Sequence, residues 1–171
     1  MLLLLRFLKV LLTSALKRRI EPLGESVLRF RVWPNDLDLN VHMNSGRYLS
    51  FNDIGRVDLL LRMKLFRRVL RRGWRPIAGG AMVRYRRSLL PFERFTLRSR
   101  VVCWDEKWFY FEHLIESADG SLAAVTHVRG LLRGKEGNVA PRELLVLAGK
   151  DVASPAMPEF IAKWNESEAL R

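Results

Sequence analysis

Asp36-Leu37-Asp38-Leu39-Asn40-Val41-His42-Met43-Asn44-Ser45-Gly46-Arg47-Tyr48 decides the reading of this chain. It lies between a strand-like run at 27–33 and a helix-like run at 47–64. Asp38, Asn40, His42 and Asn44 fall at every second position. In an extended segment, alternation places their side chains on one side and Leu39, Val41 and Met43 on the other. Asp36 shares the polar side if the strand runs straight. A carboxylate, an imidazole and two carboxamides then converge just before a helix N-terminus. Its unpaired N–H groups, those of Ser45 and Gly46, and the positive end of its dipole suit a developing oxyanion.

Outward from this stretch, 27–33 alternates over most of its length and reads as the first strand, ended by Pro34 and Asn35. Asn44 or Ser45 can cap the helix. Tyr48, Phe51, Ile54, Gly55, Asp58, Leu59 and Arg62 recur at helical spacing. Gly55 in mid-helix costs about 1 kcal/mol against Ala, which predicts tight packing there. A short helix over 65–72 stops at Gly73. The period then changes. Strands are predicted over 81–87, 94–104, 107–117 and 121–133, with turns at Leu90-Pro91, Asp105-Glu106 and Asp119-Gly120. A strand, a long helix and a four-stranded meander point to an α+β fold. Three segments follow: 1–22, an N-terminal helix and hinge; 23–137, the main domain; and 138–171, a surface tail with one short helix near 160–170.

The pattern Asp38-x-Asn40-x-His42-x-Asn44, followed four residues later by Tyr48, resembles the signature of hotdog-fold acyl thioesterases. These include the 4-hydroxybenzoyl-CoA thioesterase type and the plant acyl-carrier-protein enzymes. The wording from Trp33 to Asp38 and from Gly46 to Leu49 is most similar to bacterial relatives of the thioesterase superfamily member six group. The resemblance spans 23–133. It implies a curled antiparallel sheet around one long helix, in a homodimer or homotetramer with sites at the subunit interface and no metal or redox cofactor. It implies an acyl-CoA or acyl-ACP thioester as substrate. Asp38 is then the carboxylate that attacks the carbonyl or activates water. His42, Asn40 and Asn44 orient the reactants, Ser45 and Gly46 supply oxyanion N–H groups, and Tyr48 contacts substrate. Asp commonly staples loops and Asn commonly caps helices, so purely structural roles stand beside each of these. A non-catalytic acyl-lipid or membrane-associated binding protein on the same fold is the alternative function.

Thirty Lys and Arg against 18 Asp and Glu give +12, which fits an anionic partner. CoA phosphates, an acidic carrier protein and an anionic membrane all qualify; no nucleic-acid-reading module is recognisable. Arg84, Arg86 and Arg87 are candidates for the phosphates, or else decorate a solvated strand face. The single Cys103 excludes an internal disulfide and suits a reducing, cytoplasmic setting; it reads as an inert core thiol. His113 and His127 lie in strands and read as structural. At the N-terminus, Arg6, Lys9, Thr13 and Lys17 trace one polar stripe on an otherwise leucine-rich helix (Leu3, Leu4, Phe7, Leu8, Leu11, Leu12, Ala15, Leu16). With charges at Arg6 and Lys9, 1–20 is not a transmembrane span. Two readings remain: a peripheral anchor on the inner face of a membrane, or a helix docked on its own sheet or on a partner subunit.

Overall fold

In the computed structural model, the long helix α2 (Ser45–Arg62) is the axis of the fold. The structure describes residues 3–14, 16–150 and 152–169. Met1, Leu2, Ala15, Asp151, Leu170 and Arg171, which include parts of both predicted terminal helices, lie outside the described residues. Asn44 caps α2, its Oδ1 accepting the Gly46 N–H at 2.9 Å. Tyr48, Phe51, Ile54, Gly55, Asp58 and Leu59 form the buried stripe that the spacing predicts. Six antiparallel strands curl around it: β1 (Ser26–Arg31), β2 (Arg75–Tyr85), β3 (Arg94–Trp104), β4 (Phe109–Ser117), β5 (Leu122–Gly134) and β6 (Gly137–Val139). This is the hotdog arrangement that the resemblance implies. Phe30 of β1, Phe51 of α2 and Phe95 of β3 pack at centroid separations of 4.9, 5.6 and 4.9 Å, joining the helix to the sheet.

The connectivity corrects one expectation. The sheet runs β1-β3-β4-β5-β2, so only β3, β4 and β5 form a meander. β2 crosses to the far edge and pairs with β5, from Arg75↔Arg133 to Tyr85↔Ala124. The segment after it, around Leu90-Pro91, is therefore no hairpin turn but a crossing. It is stitched to other elements by Val32 N–H to Glu93 O and Phe92 N–H to Val32 O, both at 2.9 Å. Local turn signals do not distinguish a hairpin from such a crossing.

The C-terminal residues are not a surface tail. Helix α4 (Pro141–Ala148) was unforeseen, although its signals are ordinary: Pro at the first turn, Glu143 accepting the Ala140 N–H, and Gly149 left-handed at φ 70°. Helix α5 (Glu159–Ala169) covers the sheet face opposite Phe109 and Phe111, burying Ile161 and Trp164 against Cys103 and Tyr110. The Arg129 guanidinium lies 5.1 Å from the Trp108 ring and 5.3 Å from the Trp164 ring, and reaches Glu168 at 3.1 Å. Burial pushes the Cys103 thiol up to about 11, so it stays protonated. The short helix α3 (Phe66–Arg71) is followed by Gly73 at φ 68°.

Helix α1 (Leu3–Ser14) docks against α2 in an unexpected orientation. Its buried residues are Arg6, Val10 and Ser14. Arg6 forms two hydrogen bonds to Asp36, 2.8 Å to Oδ1 and 2.6 Å to Oδ2, and a third to Arg31 O at 3.1 Å. Its guanidinium sits 4.9 Å from the Phe51 ring centroid. Ser14 donates to Asp58 Oδ1, and Ser26 donates to Asp58 Oδ2 at 2.5 Å. The polar stripe that the spacing traces is thus split: Arg6 turns inward, while Lys9 and Thr13 stay out. No helix among the described residues is long and apolar enough to cross a membrane.

A Cβ on Gly55 would run into the Ser99 side chain and press on Leu97. Gly55→Ala should therefore lower stability by about 1–3 kcal/mol through overpacking, against the roughly 1 kcal/mol that Ala gains in helix propensity. Urea unfolding measures the net sign, and a raised midpoint would mean that Ser99 simply gives way.

Candidate functional site

The segment before α2 is not extended. Pro34–Asp36 forms a 3-10 turn in which Asp36 Oδ2 accepts the Trp33 N–H at 2.8 Å. Leu37 then bridges Met43. Asp38 donates its N–H to His42 O at 3.0 Å, and Val41 donates to Asp38 O at 3.1 Å. The chain doubles back at Leu39-Asn40, with Val41 at φ 59°, a left-handed conformation that a β-branched residue rarely adopts. Alternation does not govern a turn, so the four polar side chains do not share one face. The turn sets Asp38 opposite His42 instead: His42 Nδ1 lies 3.4 Å from Asp38 Oδ2, with the His42 side chain 32% and the Asp38 side chain 20% exposed. This is a contact of opposed polar atoms without hydrogen-bond geometry.

The other members of the motif serve the backbone. Asn40 gives its N–H to Asp38 Oδ1 at 2.9 Å, fixing that carboxylate from one side. Asn44 is the helix cap, so the Gly46 N–H, expected as an oxyanion donor, is already taken. Of the two expected donors, Ser45 is the one without this cap bond. The two carboxylates divide sharply. Asp36 is fully buried and bonded to Arg6 and Trp33, whereas the Asp38 side chain keeps 20% of its surface exposed.

The expected substrate contacts fare unevenly. Tyr48 is buried in the core, its ring edge-on to Tyr85 at 5.1 Å and its hydroxyl pKa raised by burial. It supports the site from within and does not reach its surface. Tyr85, which the sequence reading passed over, donates to Ser45 O at 3.0 Å and ties β2 to the start of α2. Arg87 is occupied by Glu93, Asp119, Ser117 and Ser121, so it staples turns and is not free for phosphate. Arg84 and Arg86 are exposed.

A cavity of about 380 Å³ opens beside the C-terminal half of α2, with α4 as part of its wall. Leu60, Met63, Phe109, Phe111, Leu132 and Leu144 are among its lining residues, which are apolar apart from Asp53 and Arg56. Asp38 and His42 do not line it. Sequence reasoning missed it because α4 was unforeseen. Behind the polar wall, Arg56 pairs with Asp53 and approaches His113 Nε2 at 3.4 Å. The His113 ring is fully buried, with Nδ1 2.8 Å from Ser99 Oγ. Burial, then the Arg56 charge, hold its pKa well below the ordinary imidazole value. His127, 3.3 Å from Glu112 and 4.6 Å from the Phe160 ring, is shifted down by burial too. On α2, Asn52 is fully buried with neither amide atom paired. Among the described residues, no three His, Cys, Asp or Glu side chains gather as a metal site would require.

Comparison with known proteins identifies the family and the fold. A family model described as the thioesterase-like superfamily matches residues 32–165. Protein THEM6 of Xenopus laevis is 34% identical over 167 residues, covering 91% of this chain and 79% of the relative. Protein THEM6 of Danio rerio is 36% identical over 156 residues, covering 87% and 75%. Among solved structures, the probable thioesterase YbaW of Escherichia coli superposes with a TM-score of 0.66 at 19% identity, covering 72% of this chain and 96% of that one. The hypothetical protein SAV2348 of Staphylococcus aureus, solved in complex with CoA, gives 0.64 at 15%, covering 82% and 94%. At these identities the two structures establish likeness of fold.

The neutral, buried His113 sets a pH dependence. An unfolded chain takes up its proton below the ordinary value of 6.5, while the folded chain resists until well below that. The unfolded state therefore binds more protons, and stability is full above that value and lost as pH falls through the window beneath it. His127 contributes in the same direction. Urea midpoints should fall between about pH 7 and about pH 5. His113→Asn should make that slope shallower; an unchanged slope would assign it to other groups.

Proposed function

This chain belongs to the thioesterase-like superfamily, and we propose that it hydrolyses acyl thioesters to a free acid and a thiol, with Asp38 and His42 as its reacting pair. The observation that carries the proposal is their facing placement at an open turn directly before the N-terminus of α2. In one route the Asp38 carboxylate attacks the thioester carbonyl, the C–S bond breaks with loss of the thiolate, and water hydrolyses the resulting anhydride to free acid and carboxylate. In the other Asp38 takes a proton from water, the hydroxide adds to the carbonyl, and the thiolate leaves and takes up that proton. In both, the carbonyl oxygen gathers negative charge. His42 orients the carboxylate or the water. The Ser45 N–H and the positive end of α2 face that charge. Water is the only co-substrate this chemistry needs, with neither metal nor redox cofactor.

The cavity favours a medium or long acyl chain. Ser45 and Asp53 are separated by about 12 Å along the helix, so a thioester held at the turn reaches the cavity only through a chain of comparable length. The carrier is anionic in this reading, CoA or acyl carrier protein, and Arg84 and Arg86 are its contacts. The +12 charge supports an anionic carrier, and a neighbour of the same fold was solved with CoA. The site is completed by a second copy of the chain. In support, β2 is an 11-residue strand at the sheet edge with mostly exposed side chains, and such an edge is ordinarily covered or paired. Leu39 and Val41, exposed at the tip of the turn, offer apolar surface to the same copy. A lone cysteine held as a thiol fits a cytoplasmic place of action.

Free-thiol release from a panel of acyl-CoA chain lengths tests the proposal. Asp38→Asn and His42→Ala should each lose about 10²-fold or more in kcat/KM while keeping the wild-type circular dichroism. Wild-type turnover in both variants would refute it. Retention of acyl-CoA without thiol release would make the protein a binder.

A further inference from the structure

Helix α1 spends only part of its apolar surface on the core. An amphipathic helix ordinarily turns its whole apolar stripe inward. Here the docked side carries Val10, with Leu3 and Phe7 packed beside it, and the buried Arg6 and Ser14, which bond to Asp36 and Asp58. At about 100° per residue, Leu4, Leu8, Leu12 and Leu5 share an arc of roughly 100° on the opposite side, and each is exposed, Leu12 at 74%. Leu16, just beyond the helix, is 90% exposed. Lys9 lies at the border of the arc, and Arg18 and Arg19 follow it, all exposed. The Arg6–Asp36 ion pair and the Ser14–Asp58 hydrogen bond thus clamp the helix so that a ridge of leucines edged by cations stands away from the protein.

We propose that α1 lies in the interface of an anionic lipid bilayer, its leucine ridge among the acyl chains and Lys9, Arg18 and Arg19 at the headgroups. This goes beyond the hydrolytic reading and does not depend on it. A long helix is not required, since an interfacial helix needs an apolar face and flanking cations. Charge selects the occupant. A second copy of the chain would bring Lys9, Arg18 and Arg19 against their own like charges on two +12 molecules, whereas anionic headgroups attract them.

Flotation of the full-length protein with vesicles tests this, using phosphatidylcholine alone or mixed with phosphatidylglycerol. The wild type should float with the mixed vesicles and at least about tenfold less with the neutral ones, and high salt should weaken it. The Leu8→Asp/Leu12→Asp variant alters two exposed positions and so should keep the fold, and it should lose about tenfold or more of the bound fraction. Wild type left in solution with both vesicle types overturns the proposal, as does undiminished flotation of the variant. Equal binding to neutral vesicles overturns the choice of anionic lipid. A drop in solution mass for the variant, measured by light scattering without vesicles, assigns the ridge to a second copy instead.

Discussion

A guanidinium and a carboxylate buried together, Arg6 and Asp36, hold this structure's organisation in place. They are 1% and 0% exposed and joined by two hydrogen bonds. Two charges out of water are tolerated only when paired, so the bonds of both residues are spent on holding the structure. Asp36 also binds the Trp33 N–H, and its own carbonyl accepts the Asn44 N–H at 2.8 Å. One residue therefore sets the 3-10 turn, the return of the chain toward the helix cap, and the docking of α1. The turn that presents Asp38 to His42 is suspended between these fixed points.

The same pair explains why α1 exposes its leucines. Asp58 repeats the arrangement from the C-terminal half of α2, taking Ser14 and Ser26 at its two oxygens, with Lys17 and Arg62 each 3.7 Å away. Directional bonds at two places along a short helix determine which side faces the protein, and they outweigh the general tendency of leucine to be buried. A helix oriented by specific polar contacts leaves its apolar arc available to something outside the protein. Site and surface are thus linked through a single residue pair, since the clamp that aims the leucines also braces the turn.

The sequence reading recovers most of the scaffold because periodicity is a local property. The α2 stripe and the strand β3 follow from spacing, the tight approach at Gly55 from the cost of a glycine in mid-helix, and the motif resemblance supplies the fold. What it misses is long-range or rests on exceptions to a pattern. The crossing of β2 depends on which strands pair, and residue order does not encode that locally. Alternation over 38–44 fails because the chain turns at Leu39-Asn40, with Val41 in a conformation that its side chain disfavours. Asp36 and Asp38 look equivalent in a row of alternating residues, and only a distant arginine separates them. Likewise, Asn44 and Arg87 are of the right chemical type for a site, yet their bonds are spent on a cap and on turns.

The central claim is that these neighbouring carboxylates are divided between holding and reacting. Equilibrium unfolding of Asp36→Asn and Asp38→Asn, measured side by side at neutral pH, tests it most directly. Asp36→Asn should destabilise the protein by about 3–5 kcal/mol, because it strands the Arg6 charge in the interior. Asp38→Asn, which keeps an oxygen for the Asn40 N–H, should change stability by less than about 1 kcal/mol. Equal costs, or a larger cost for Asp38, would contradict the account.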